Sequence, residues 1–403
     1  MKILVCHSYY RSVGGEDLSF DDEVRLLEQA GNDVVRFVRH NDELRDLGAW
    51  TAASRTLWNR TAYSELRAVL RRERPDVMHC TNTFPLLSPS VLYAGRAEQV
   101  PIVQAVRNYR MLCLNSFLCR DGRICESCIG ASVPWAGIRH ACYRDSRAAS
   151  AVVAASQVVH RWLRTWDRQV DVFFTLTKFA REKLAEGGFP IDRIEVKPNL
   201  VAPDPGIGLG ESGGAVFAGR LSSEKGLRTL LDAWRNLPDI PLRIIGEGPL
   251  ERQVDREASE LPNVTYVGYL PKERVLDAMG DASLVIVPSI WYETFGRTII
   301  EAFAKGTPVI ASRLGAMSEL IEEGRTGRLF RPGDASDLSR QVRAAIDDRA
   351  TLASMRRAAR TTYERDYTAA ANYAHLDRIY RKACGKSLVP YSDSAAQVLF
   401  ESK

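Results

Sequence analysis

The chain predicts an α/β protein made of two tandem, doubly wound parallel-sheet domains with a cleft between them. Three observations carry this. Short β-branched apolar runs alternate with amphipathic segments almost from end to end. A Pro/Gly-rich stretch from Pro198 to Gly210 divides that alternation into two series. The length of 403 residues exceeds what one hydrophobic core ordinarily serves.

The first series of strands is expected at Ile3–His7, Val34–Val38, Val77–Cys80, Ile102–Ala105, Val172–Leu176 and Ile194–Lys197. The second is expected at Ala215–Ala218, Leu242–Ile245, Val264–Val267, Leu284–Val287 and Val309–Ser312. Interior parallel strands read as continuous apolar runs because both faces are covered. The expected domains are 1–198, with a cysteine-rich insert at about 107–145, and 199–365. A helix over 366–384 is expected to pack back toward the first domain, and 385–403 reads as a polar tail.

The formal net charge is +5, and residues 101–196 hold 14 Lys and Arg against 9 Asp and Glu. Such an excess suits anionic ligands, sugar nucleotides or lipid headgroups among them. A solvated arginine-rich surface is the competing reading. No basic run is interleaved with a nucleic-acid reading motif, so nucleic acid is not an expected partner. No apolar run approaches the roughly 20 residues that span a bilayer. The first residues, Met1 to His7, read as a strand rather than a secretory leader. A cytoplasmic protein with reduced thiols is expected, with peripheral contact at the inner face of the membrane left open.

The most informative stretch runs from Trp291 to Glu301. A strand ends before it, Gly296 turns the chain, and Glu301-Ala-Phe-Ala-Lys is strong helix-forming sequence. Gly306 and Pro308 then stop that helix. Backbone amides around Phe295, Gly296 and Thr298 sit at a helix start, which favours a phosphate. Glu293 and Glu301 can face one cleft, where carboxylates accept bonds from sugar or ribose hydroxyls.

The second series opens with Gly219-Arg220-Leu-Ser-Ser-Glu224-Lys225-Gly226. Arginine offers a planar fork and lysine a point charge, a pairing suited to a diphosphate. Two surface cations are the plainer alternative, but a cation at a helix start opposes the dipole. The turn Gly246-Glu-Gly248-Pro could admit a nucleobase against bare backbone, and Val267 ends the neighbouring strand. Gly14 and Gly15 follow the first strand and would let backbone approach a phosphate or sugar, although a plain tight turn is the readier explanation of the pair alone. The pattern is not G-x-G-x-x-G, which argues against a nicotinamide dehydrogenase.

Five cysteines crowd residues 113–142. Cys113, Cys125, Cys128 and Cys142 could hold a structural zinc in an insert lacking its own core, with a hairpin from Cys119 to Cys125. Buried small hydrophobes are the alternative. His160 to Arg168 mixes cations with Trp162 and Trp166. It could touch a membrane or a lipid-linked acceptor, but tryptophans packed on the core are the favoured reading. Thr177 reads as a helix N-cap.

Taken together, Arg220 and Lys225 in G-R-L-x-x-E-K-G, the Gly246–Pro249 turn and the Glu293/Glu301 pair resemble the family 4, or group 1, glycosyltransferases of the GT-B fold. The likeness covers nearly the whole chain and is strongest over 215–335. It implies two Rossmann-like domains and retaining transfer of a sugar from a UDP-, GDP- or ADP-sugar to a hydroxyl acceptor, possibly lipid-linked. It implies no catalytic metal, and the chain carries no D-x-D. By the same resemblance Glu301 would hold the donor ribose and Glu293 the transferred sugar. Arg220 and Lys225 would neutralise the leaving diphosphate, with the Phe295 and Gly296 amides completing the cradle. Gly14 and Gly15 match the family's first glycine loop. Many relatives carry a histidine after the fourth strand where this chain has Arg107-Asn108, a departure that bears on sugar identity; these two are the candidate sugar or acceptor residues, and Arg107 could hydrogen-bond the sugar or compensate phosphate charge. A non-catalytic glycan or sugar-nucleotide binder is the rival from another class. A sugar phosphorylase would need a pyridoxal site and a longer chain.

Overall fold

The computed structural model describes residues 1–11 and 14–386. The tail expected over 385–403 lies, from residue 387 onward, outside them. The described chain forms two compact units. The first comprises residues 1–118 and 125–199 with the segment from Ala369 onward; the second comprises Leu200–Thr368 with Cys119–Ile124.

The first unit is built on β1 (Lys2–Tyr9), β2 (Asp33–His40), β3 (Val77–Cys80) and β4 (Ile102–Val106). A short antiparallel hairpin follows, β5 (Cys119–Arg120) and β6 (Arg123–Ile124), and then β7 (Val172–Thr175) and β8 (Ile194–Val196). The sheet order is β2-β1-β3-β4-β7-β8, parallel throughout. β1 extends beyond its apolar centre because Lys2 to Tyr9 all pair with β2. The helix Ala369–Ala383 belongs to this unit: Tyr380 Oη lies 2.8 Å from His79 Nδ1, and Asn372 Nδ2 donates to the Pro198 carbonyl at 2.7 Å.

The second unit holds β9 (Ala215–Ala218), β10 (Leu242–Ile245), β11 (Val264–Gly268), β12 (Leu284–Val287), β13 (Val309–Ser312) and β14 (Gly327–Phe330). They run in the order β11-β10-β9-β12-β13-β14. Only β14 was not expected; Gly327 and Arg328 break its apolar run. Gly327 is required there, because a Cβ would lie 1.9 Å from the Val309 carbonyl oxygen. The core under this sheet is apolar, with Trp234, Leu230, Ile244, Ile286, Ile310 and Phe330 at its centre.

Strand order reverses between β9 and β12 in the second unit. The helices leaving these two strands therefore lie on opposite faces of the sheet, opening a crevice at their carboxyl ends.

Candidate active site

Both loops at that reversal carry expected site residues. β9 runs into Gly219 and Arg220, then a single turn Ser223–Lys225, then the helix Leu227–Trp234. β12 runs into Pro288, Ser289, Trp291 and Glu293 before the helix Arg297–Ala304. The loops are stitched together by the Ile290 amide, which donates to the Glu224 carbonyl at 2.9 Å. Gly226 sits at φ 72°, and a Cβ there would lie 1.9 Å from the Pro288 oxygen, so only glycine permits the approach.

Lys225 and Glu293 meet inside this construction. Lys225 Nζ donates to Glu293 Oε1 at 2.6 Å and lies 5.6 Å from the centre of the Trp291 ring. Ser289 Oγ donates to the same carboxylate oxygen at 2.8 Å. Glu293 is buried while Lys225 is partly exposed, so the pair presents its cation outward. Arg220 is exposed and makes no ion pair among the described residues. A third loop closes on the first: the Leu221 amide donates to the Glu247 carbonyl at 2.8 Å. At Gly246, φ 141°, a Cβ would lie 1.9 Å from the Gly219 oxygen; at Gly248, φ 156°, it would lie 2.6 Å from the Leu221 oxygen. Val267, on the edge strand β11, is exposed beside this turn.

The helix Arg297–Ala304 starts from Gly296 at φ 94° with no side-chain cap, leaving its first amides available to an anion. Phe295 anchors the turn, buried and edge-on to Tyr367 with ring centres 6.2 Å apart. Thr298 Oγ1 lies 3.5 Å from the Ala218 carbonyl, tying this helix start to the end of β9. Glu301, one turn in, is 3.8 Å from Arg297 Nε.

In the first unit Gly14 caps the helix Gly15–Gln29, and its amide donates to Asp17 Oδ2 at 3.0 Å. Asp17 also pairs with His7 Nε2 at 2.9 Å, while His7 Nδ1 lies 2.7 Å from Thr81 Oγ1. Asn108 Nδ2 donates to Glu16 Oε2 at 2.9 Å. Arg107 takes a different course. Its Nη1 donates to Asn199 Oδ1 at 2.8 Å and its Nη2 lies 2.5 Å from Glu23 Oε1. Lys197 Nζ donates to the same Glu23 oxygen, and His79 Nε2 lies 3.9 Å from the other. The guanidinium thus belongs to a buried ion cluster and also lines the wall of the neighbouring pocket.

The electrostatics follow from that burial. Desolvation alone would raise the Glu23 carboxyl, but Arg107, Lys197 and His79 outweigh it and hold it far below the carboxylate range. Burial pushes His79 down to about 4 against the pull of Glu23, and pushes Lys197 down to about 8. Beside the cluster lies a pocket of about 400 Å³, walled by Glu16, Asn82, Asn108, Arg110, Gln157 and Phe189 among others.

Comparison with known proteins decides the family. The family model described as "Glycosyl transferase 4-like domain" matches residues 14–200, and "Glycosyl transferases group 1" matches 211–362. The chain belongs to the group 1, family 4-like glycosyltransferases. The sulfoquinovosyl transferase SQD2 of Arabidopsis thaliana is 26% identical over 397 residues, 90% of this chain and 70% of that one. The 2-deoxystreptamine glucosyltransferase of Streptomyces kanamyceticus is 28% identical over 251 residues, 56% of this chain and 64% of its own. Among solved structures, Anabaena HepE in complex with UDP superposes with a TM-score of 0.67 at 18% identity, covering 94% of this chain and 99% of that one. Sucrose-phosphate synthase from Thermosynechococcus elongatus gives 0.70 at 16% identity, over 96% and 100%. The fold of this glycosyltransferase is GT-B.

One expectation for the glycosyltransferase is corrected. Among the described residues no group of three or more His, Cys, Asp or Glu is placed to hold a metal ion, so Cys113, Cys125, Cys128 and Cys142 do not form a zinc site. Cys113 is buried with its thiol donating to Asn115 Oδ1 at 2.9 Å, and Cys125 Sγ lies 3.5 Å from Ser127 Oγ. Cys142 packs against a small core of Leu114, Val153 and Ala154. The insert is therefore packed on the buried face of the helix Arg147–Trp162. Two positions in the glycosyltransferase were not singled out from sequence. Ser289 bonds Glu293 but reads as an ordinary residue after a strand. Asp17 staples the glycine loop, and an acidic residue three positions after Gly14 is a capping signal that could have found it.

Proposed function

We propose that this glycosyltransferase moves a sugar, with retention of anomeric configuration and without a catalytic metal, from a nucleotide-sugar donor to a hydroxyl acceptor. The observation that carries the reading is the Lys225–Glu293 pair at the strand-order reversal, with Arg220 exposed beside it and an uncapped helix start below. A diphosphate there would draw on Lys225, Arg220 and the helix amides, so charge developing on the leaving group is met by fixed donors. Glu301 would accept the ribose hydroxyls, Glu293 would face the transferred sugar, and the backbone at Gly246, Gly248 and Val267 would face the base. The first unit would receive the acceptor, and the pocket walled by Asn108, Gln157 and Arg110 is its candidate place there.

The bound ligands of structural neighbours support a uridine nucleotide as first candidate: HepE structures hold UDP and UDP-glucose. Among relatives, a phosphatidyl-myo-inositol mannosyltransferase of Mycobacterium leprae supports acceptors carrying lipid. The test is twofold. UDP should raise the melting temperature of the wild-type protein, and Glu301→Ala should abolish that shift; an unchanged shift removes the ribose assignment. Proton NMR of the product from UDP-glucose and a model acceptor should show the donor's anomeric configuration; inversion ends the retaining mechanism.

A further inference from the structure

The helix Arg147–Trp162 turns one line of residues inward: Ser150, Val153, Ala154 and His160 are buried. The opposite line, Ala148, Ala151, Ala155, Val159 and Trp162, repeats every three or four residues and is exposed. That outer line carries no charge and no hydrogen-bonding side chain except the Trp162 indole. Trp162 is 81% exposed. Trp166, four residues on, does pack inward, with its ring 6.3 Å from His160 and 6.2 Å from Phe189. The two tryptophans of this segment therefore part company: one is core and one faces out.

Two neighbours add to the same region. The Arg161 guanidinium donates to the Ala131 carbonyl, bringing the segment before Trp135 to the end of the helix that carries Trp162. Trp135 is 69% exposed. The helix Ala49–Leu57 packs alongside through Ser156 Oγ to the Thr56 carbonyl at 3.4 Å and His160 Nε2 to the Leu57 carbonyl at 2.9 Å, and its Trp50 is 90% exposed. The segment that carries Trp135 and Trp162 is rich in arginine. Residues 135–168 contain six arginines against two aspartates, Asp145 and Asp167, and no glutamate or lysine. Arg139, Arg144, Arg147 and Arg164 are all exposed, Arg164 paired with Asp167 at 3.1 Å.

We propose that this face of the first unit docks on an anionic lipid bilayer. Tryptophan is the side chain whose amphipathic ring settles at the headgroup level, and a shallow apolar line between arginines fits a surface-bound helix. The arginine excess matches lipid phosphates, which distinguishes a bilayer from a neutral protein partner. Among the described residues no helix is long and apolar enough to cross a membrane, so the contact is peripheral.

Sedimentation of the full chain with vesicles tests this. The protein should pellet with vesicles containing about a third phosphatidylglycerol and stay in solution with pure phosphatidylcholine, and salt near 0.5 M should release it. The double variant Trp135→Ser, Trp162→Ser should bind about tenfold more weakly with its melting temperature unchanged, while Trp162→Phe keeps most of the binding. Wild-type protein remaining in solution with both vesicles overturns the proposal, as does a double variant that pellets like wild type. A concentration-dependent dimer that Trp162→Ser dissolves, without vesicle binding, would reassign the face to a second copy of the chain. UDP-induced stabilisation should be intact in every variant, which keeps this result separate from the sugar-transfer reading.

Discussion

Under the first sheet, Glu23, Arg107, Lys197 and His79 meet away from water, held by Asn199 and Tyr380. Under the second, the space is filled by Trp234, Leu230, Ile244 and Phe330. The exposed carboxyl ends of the strands differ in the opposite sense. In the second unit the cations Arg220 and Lys225 reach the surface beside bare backbone amides. In the first unit the arginine that follows β4 is drawn inside. An apolar floor leaves the second unit's cations at its surface, whereas the first uses several of its polar residues to hold distant segments together.

The sharpest way to break that contrast is Glu23→Gln. It leaves Arg107 and Lys197 buried around a neutral amide, and losing one partner of a buried charge group costs about 3–5 kcal/mol. Urea unfolding should show the loss. Hydrogen exchange should place it in the helices Gly15–Gln29 and Ala369–Ala383, leaving β9 to β14 protected. Uniform exposure of both units would mean that the cluster is not local to the first.

Lys225→Ala should act chiefly on the rate. A donor aimed at developing negative charge is worth about 10²–10³ in kcat. The substitution leaves the buried Glu293 carboxylate with Ser289 alone, so the melting temperature should fall, but by less than for Glu23→Gln, which strips the shared partner from two buried cations. A loss of only a few fold would mean that the helix amides and Arg220 suffice for the diphosphate.

These two residues also show what was legible beforehand. Lys225 sits in a glycine-framed loop after an apolar strand, a local pattern whose chemistry is written in consecutive residues. Glu23 lies in Phe20-Asp-Asp-Glu-Val, which looks like a solvated helix face. It is buried because Arg107 and Lys197 arrive from 84 and 174 positions away. The cysteines teach the converse: closeness in sequence did not bring four thiols to one point, and Cys142 packs instead against Leu114, Val153 and Ala154. The interior strands were readable as β-branched runs, while β14 was hidden by a glycine that close packing demands.

Acid should single out the first unit. His79 is depressed to about 4, from an ordinary 6.5, by burial and by the positive charges of Arg107, Lys197 and His7, with Glu23 opposing. Its folded form therefore binds fewer protons than its unfolded form between those values. The stability is fully present above 6.5 and is lost as pH falls toward 4, on the order of 3 kcal/mol in all. Glu23, held low by its cations, adds a further loss at lower pH still. His79→Phe should flatten the pH 4–6.5 part of the urea-midpoint curve. It also removes the Tyr380 hydrogen bond, so its curve should lie lower throughout.

The smallest effect belongs to Ser289→Ala. Ser289 Oγ is buried and donates to Glu293 Oε1 at 2.8 Å, so it positions the carboxylate rather than touching a ligand. Losing one hydrogen bond to a charged group costs about 1.5 kcal/mol, an order of magnitude in rate at most. Lys225 still bonds the same oxygen, so the carboxylate keeps its charge partner while its direction loosens. The expected result is a fall in kcat of about fivefold with UDP affinity unchanged, because the nucleotide is met by other residues. Ser289→Thr keeps the hydroxyl and should recover most of the rate. If instead UDP binding weakens while kcat holds, Glu293 is acting on the diphosphate side through Lys225 and its assignment to the transferred sugar fails.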